Sequence, residues 1–185
     1  TGGILALVSM PGYDPNLFVE GIDPQNWDAL NTSPDKPLVN RALNGTYPPG
    51  STFKPFMALA ALQIGKRTPQ QTISDPGSYS FGGHVFRDDK KGGNGSVDMY
   101  KSIVQSCDTY YYMLANDMGI DNIANFMRQF GFGQRTGIDI EGESEGVLPS
   151  QEWKRKYFKR PEQQRWFAGE TISIGIGQGY NAYTP

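Results

Sequence analysis

The sequence predicts an α+β domain, a helical part joined to an antiparallel sheet. Three observations carry this: helical apolar periodicity recurs between residues 51 and 130, a short continuous apolar run opens the chain, and alternating residues flank Gly82-Gly83 as in a hairpin. The 185 residues suffice for one domain with a sizeable core. With Gly 23 and Pro 13, many turns are expected, and 12% aromatic residues argue against disorder. A net charge of −2 implies no nucleic-acid partner. No run of about 18 apolar residues exists to span a membrane. The single cysteine, Cys107, excludes an internal disulfide and leaves the redox compartment open. Thr1 is not a start methionine and no signal peptide follows it, so the chain is expected to be cut at its front.

Gly3-Ile4-Leu5-Ala6-Leu7-Val8-Ser9 reads as a buried central strand because it is apolar without interruption. Residues 10–16 read as a loop by their Pro, Gly and Asx content. Residues 20–37 read as irregular, and 39–43 as a short helical turn leading toward residue 51. Pro48, Pro49 and Gly50 end whatever precedes them. Ser51 then opens a helix, in which Pro55 is tolerable because its missing N–H lies near the start. Phe53, Phe56, Met57, Ala60 and Ile64 form its buried stripe, and Gly65 its stop.

A polar region, 66–97, follows, with a hairpin expected over 79–86. Helical patterns run from Asp98 to about Gln105 and from Asp108 to Asp117, the second with Tyr110, Tyr111, Leu114 and Met118 on its apolar side. Asp121 is the expected cap of a third helix, with Ile123, Phe126, Met127 and Phe130 inward and Gly131 closing it. Residues 131–149 read as a glycine-rich loop. Ser150 caps a short helix over 150–158, whose Lys154, Arg155 and Lys156, with Lys159, read as a solvated basic face. Residues 171–179 alternate apolar and small side chains, which suggests an extended strand or a buried loop. Thr184-Pro185 is a helix opening, an N-cap followed by proline, so the sequence is expected to stop where an element begins.

Two motifs carry candidate chemistry. Ser51 and Lys54 lie three residues apart, so both project from one face of a first helical turn. A helix N-terminus suits a developing oxyanion, and a lysine packed against Phe53 and Phe56 can shed its charge and take the serine proton. A lone Ser-x-x-Lys is common by chance and proves little. The second motif is Ser106-Cys107-Asp108, at the joint between two helices, where Ser106 and Asp108 either face one site or merely cap the next helix.

Together the motifs resemble the transpeptidase domain of class B penicillin-binding proteins. The resemblance rests on residues 3–9 with Tyr13-Asp14-Pro15-Asn16, on Asn40-Arg41-Ala42, on Tyr47 to Lys54, on Ser106 to Tyr112, and on Gly175-Ile176-Gly177-Gln178-Gly179. It covers nearly the whole chain. Asp108 and the run of tyrosines point to the elongation branch, the penicillin-binding protein 2 group. The fold implied is that of penicillin-binding proteins and serine β-lactamases, with residues 1–185 as a partial transpeptidase domain.

The resemblance implies an acyl-enzyme mechanism. Ser51 would attack the penultimate D-alanine carbonyl of a peptidoglycan stem peptide, and a neighbouring stem's amine would close the cross-link. Lys54 is the expected base, Ser106 the proton relay, Asp108 the orienting group, and the Ser51 N–H half of the oxyanion hole. β-Lactams would acylate the same serine and stay. A membrane-embedded glycosyltransferase and elongation-complex proteins are the implied partners, at the periplasmic face of the inner membrane. No Lys-Thr-Gly or Lys-Ser-Gly follows Asp108, so the sheet is expected to be incomplete and the piece alone to acylate poorly.

Some relatives carry a zinc built from Asp, Asp, His and Cys. Asp75, His84, Asp88 and Cys107 are the candidate ligands, with Asp89 nearby, for a structural zinc; no cofactor is required for the chemistry. The family histidine position falls at Asn94, a poor zinc ligand, and His84 lies upstream on the hairpin. The plain alternative makes Cys107 a small buried hydrophobe and His84 a surface residue. Gly175 to Gly179 lacks the lysine and helix of a phosphate loop, so close backbone packing beside the active site explains it better. The rival functions are a D,D-carboxypeptidase or β-lactamase, in which water replaces the amine, and a non-catalytic β-lactam sensor or scaffold.

Overall fold

The computed structural model describes residues 3–185. Among the described residues eight α-helices, three 3-10 turns and two small sheets make an α+β domain centred on one helix. The helices are α1 (Pro24–Thr32), α2 (Lys54–Gln63), α3 (Met99–Val104), α4 (Asp108–Met118), α5 (Ile120–Met127), α6 (Gln151–Tyr157), α7 (Pro161–Gln164) and α8 (Ala168–Ile174). Strands β1 (Ile73–Asp75) and β4 (Gly95–Val97) pair antiparallel, with Ile73 opposite Val97. Between them β2 (Ser78–Phe81) and β3 (His84–Arg87) form the expected hairpin, and Gly82 and Gly83 both take the positive φ its turn demands.

α4 is the hub. Tyr110, Tyr111, Leu114 and Ala115 are fully buried in it, and it packs on α2, α5 and α8 and against β1, β2 and β3. Phe53, Met57, Ala60, Ile123, Met127, Ile172 and Ile174 fill the space around it. The caps are local and read as the sequence suggests. The Asp98 carboxylate accepts from Lys101 N at 2.8 Å, Ser150 Oγ accepts from Trp153 N at 3.0 Å, and Gly65 and Gly131 turn left-handed where helices stop.

Several expectations are corrected. Residues 3–9 form no strand: Leu5 is fully exposed and Ile4 and Val8 largely so, because no described strand lies beside them to complete a ladder. Only Ser9 is tied down, its Oγ donating to Val39 O and accepting from Arg41 N. Residues 24–32, read as irregular, are α1, opened by Asp23 as N-cap and Pro24 at the first position. Asp121 is not a cap; it sits in the first turn of α5, which starts from Gly119, and accepts from Gln151 Nε2. Thr171 to Ile174 belong to α8 rather than to a strand, while Gly175 and Ile176 continue as buried turn.

The largest correction concerns Lys154, which is 3% exposed rather than solvated. Its Nζ donates to Arg165 O at 2.8 Å and to Glu170 Oε1 at 2.5 Å. The rings of Phe158, Trp166, Phe167 and Tyr180 stand 5.4–6.0 Å from it, close enough to stabilise the ammonium by cation–π attraction. Tyr180 Oη donates to the same Glu170 oxygen. One buried ion pair thus fastens α6 to α8 and to the glycine-rich turn beyond it.

Candidate active site

The chain reaches Ser51 through Tyr47, which pairs with Tyr183, and through two prolines. Gly50 to Phe53 form a single tight 3-10 turn, in which Lys54 N donates to Ser51 O, before α2 begins at Lys54. Ser51 therefore sits one turn earlier than the α-helix proper, exposed, with its N–H in a first turn that supplies no intrahelical acceptor. Phe53 points the other way and is fully buried. The Ser51 hydroxyl makes no hydrogen bond among the described residues, Lys54 included.

Lys54 is 2% exposed. Its Nζ donates to Ser106 O at 2.7 Å, to Ser106 Oγ at 3.0 Å and to Asp108 Oδ1 at 2.5 Å. An ammonium has three protons, and three acceptors take them. The Tyr111 ring lies 5.7 Å beneath the same nitrogen, a contact that residue spacing alone does not reveal. Tyr111 Oη is in turn bonded to Ser102 Oγ at 3.0 Å. Ser106 holds φ at +52°, rare for a side chain with a Cβ and costing about 1–2 kcal/mol. That conformation turns its carbonyl and its hydroxyl toward one lysine. Asp108 serves the cluster and starts α4. So Lys54, Ser106 and Asp108 converge, and Ser51 shares the Lys54 turn without a hydrogen bond between the two side chains.

The turn Gly175 to Gly179 closes the back of this site. Gly50 N donates to Gly177 O at 3.1 Å. A Cβ on Gly177 would meet Gly50 O at 2.3 Å and Phe53 Cβ at 2.9 Å, and its φ is +71°. A Cβ on Gly175 would meet Tyr111 O at 2.6 Å. Close backbone approach is the reason for these glycines.

Behind the Ser106 joint, ligand atoms of Asp75, Asp88 and Cys107 lie within 4.8 Å of one another. His84 does not join them; it is exposed on β3 and lines a different cavity with Phe81, Phe86 and Phe167. Asp89 is exposed as well. The four-ligand zinc set is therefore not gathered. Asn94 stands in the cluster instead and presents donors, its N and Nδ2 lying 2.8 and 2.7 Å from Asp75 Oδ2. Burial pushes the Cys107 thiol up to about 12, which keeps its proton for Asp75. Burial works against the Asp75 carboxylate too, but hydrogen bonds from Gly77 N and from Asn94 N and Nδ2 help hold it below its ordinary value. Three of the four expected ligands lie together, but the fourth place is held by the Asn94 amide, whose NH2 faces Asp75 and offers zinc no lone pair.

The profile of the penicillin binding protein transpeptidase domain matches residues 1–185. The peptidoglycan D,D-transpeptidase MrdA of Acinetobacter baumannii is 52% identical over all of this chain, which spans 27% of that protein. The protein of the same name from Escherichia coli K12 is 49% identical, again over all of this chain and 29% of its own length. The chain thus spans under a third of the curated relatives it matches. Among solved structures, penicillin-binding protein 2 of Pseudomonas aeruginosa in complex with WCK 5153 superposes with TM-score 0.90 at 48% identity, covering 100% of this chain and 41% of that one. Penicillin-binding protein 2 of Helicobacter pylori in complex with MreC gives 0.88 at 37% identity, covering 96% and 33%. Penicillin-binding protein A of Mycobacterium tuberculosis, as its penicillin G acyl-enzyme, gives 0.80 at 29% identity, covering 100% and 41%.

Proposed function

Since the chain belongs to the penicillin-binding protein transpeptidase family, we propose that the full-length protein is a peptidoglycan D,D-transpeptidase of cell-wall elongation, acylated at Ser51. The observation that carries this is the convergence of Lys54, Ser106 and Asp108 one turn from an exposed, unbonded serine hydroxyl. When Lys54 is neutral, two N–H groups still serve Ser106 O and Asp108, and its lone pair is left for the Ser51 proton. The Ser51 oxygen adds to the penultimate D-alanine carbonyl, and the Ser51 N–H receives part of the oxyanion charge. Ser106 Oγ, bonded to Lys54, hands the proton to the departing D-alanine amine. The acyl group then passes to an amine of a neighbouring stem peptide. β-Lactams enter by the same first step.

A base that takes the Ser51 proton can serve an incoming water as well as an amine, so the cluster alone does not separate hydrolysis from transfer. The relatives 52% and 49% identical to this chain, named D,D-transpeptidases, support transfer to an amine. We place the protein among elongation-complex partners, with a membrane glycosyltransferase, at the periplasmic face of the inner membrane; the Helicobacter relative's complex with MreC, and a relative found in a peptidoglycan synthase complex that coordinates polymerization and crosslinking, support the reading of partners. No described helix is long and apolar enough to cross a membrane. The test is cross-linking of stem peptides by the full-length protein, with fluorescent penicillin in parallel. Product formation and labelling, both abolished by Ser51→Ala, are expected. Labelling without cross-linking would favour a sensor, and rapid loss of label a β-lactamase.

A further inference from the structure

We propose that Asp88, backed by Asp75 and Asn94, is a positioning residue for the Ser106-Cys107-Asp108 joint, and that this cluster acts through hydrogen bonds rather than a metal ion. The inference rests on the reading of Ser106 and Asp108 as catalytic groups.

α4 begins at Asp108, and its first N–H groups need acceptors. Its N-cap residue is Cys107, which offers no side-chain oxygen and makes no capping bond. Asp88, just after β3, supplies one from outside: its Oδ2 accepts from Thr109 N at 2.9 Å. On the other side of Asp108, the buried Cys107 Sγ donates to Asp75 Oδ2 at 3.4 Å. Residues 107 and 109 are thus each tied to a carboxylate, which fixes the direction of Asp108 between them and of the strained Ser106 before them.

The carboxylates are themselves held. Asp75 Oδ1 accepts from Gly77 N at 2.8 Å, and Asp88 Oδ1 from Lys90 N at 3.1 Å. Asn94 gives both its N–H and its amide NH2 to Asp75, and its carbonyl receives Lys101 Nζ at 2.7 Å. Among the described residues neither Asp75 nor Asp88 has an ion-pair partner. What offsets their charge is N–H and amide donors, together with the positive end of the eleven-residue α4. Asn94 Oδ1 is buried without a partner, so the amide is oriented by what Asp75 needs. A metal ion here would have to turn that amide away from the carboxylate it now holds.

The experiment uses the full-length protein, before and after dialysis against a chelator, with zinc content measured throughout. Hydrogen exchange at the Thr109 amide reads the clamp, and β-lactam acylation, split into initial binding and the covalent step, reads its effect on the site. Chelation is expected to change none of these. Asp88→Ala should speed Thr109 exchange about 10-fold and slow the covalent step with initial binding unchanged, as loss of one cap predicts. Asp88→Asn keeps an acceptor oxygen and should restore most of both. One equivalent of zinc whose removal loosens Thr109 would overturn the proposal, as would wild-type exchange and acylation in Asp88→Ala. If Asp88→Ala does not fold, Asp88→Asn decides: near wild-type behaviour supports a hydrogen-bond acceptor, and loss of both readouts overturns it. A wild type that takes no β-lactam would sink the functional reading alone, because exchange still reports the clamp.

Discussion

Lys54 shows how much a single side chain is asked to do. It is buried, ion-paired and shared between a carbonyl and a hydroxyl of Ser106. If Lys54 is the base, as proposed, Lys54→Ala removes it and leaves Asp108 without its cation, so the covalent step with a β-lactam should slow by about 10²–10⁴-fold. An unchanged rate, measured with fluorescent penicillin, would remove Lys54 from the mechanism. Gly177 is the silent counterpart. A methyl there collides with backbone at 2.3 Å in a left-handed conformation, so Gly177→Ala should cost about 2 kcal/mol or more and displace the Ser51 turn. Thermal melting and acylation should fall together, and a melting point within a degree of wild type would contradict this. The meeting of Lys54 with Ser106 and Asp108 was legible only through the family resemblance, since a lone Ser-x-x-Lys is common by chance and Ser106 or Asp108 alone reads as a cap. Tyr111 was legible only as an apolar position, since nothing in its spacing says that the ring faces an ammonium.

At the scale of elements, what is local could be read and what is distant could not. The caps at Asp98 and Ser150 and the stops at Gly65 and Gly131 involve neighbours within one turn, and they stand as the sequence suggests. α1 buries no residue, so it leaves no apolar stripe, although Asp23-Pro24 marks its start plainly. The β1–β4 pairing joins residues twenty or more positions apart, beyond any turn signal. α8 looked extended because isoleucines and small residues alternate, but packing against α4 decides for helix. Lys154 was misread because a run of charges hides which face each one takes; its partner Glu170 and four aromatic rings come from elsewhere. Lys154→Ala should destabilise the fold by about 2–3 kcal/mol, the range for stranding a partly buried carboxylate, discounted for the 22% exposure of Glu170. Denaturant unfolding measures it, and a change under 0.5 kcal/mol, the usual range for a solvated lysine, would return Lys154 to the surface reading.

Across the whole molecule, α4 links everything the site needs. Its first residue binds Lys54, its middle packs on α2, and its far side supports α8 and the turn that touches Gly50. The Lys154–Glu170–Tyr180 group anchors that turn from below. Burial opposes the Glu170 carboxylate, but hydrogen bonds from Lys154, Phe167 N and Tyr180 outweigh it and hold its pKa below the ordinary 4.5. A carboxylate lowered by folding contributes stability above its unfolded value, and that contribution is lost as pH falls through the lower folded value. Stability should therefore drop in acid below about pH 4.5, with a shallower drop in Glu170→Gln; identical acid profiles would contradict this. The most direct test of the central claim is peptide mapping by mass spectrometry of the full-length protein after reaction with penicillin. One adduct on the peptide that carries Ser51, absent in Ser51→Ala, is the predicted result. An adduct on any other residue, or one that persists in Ser51→Ala, would contradict it.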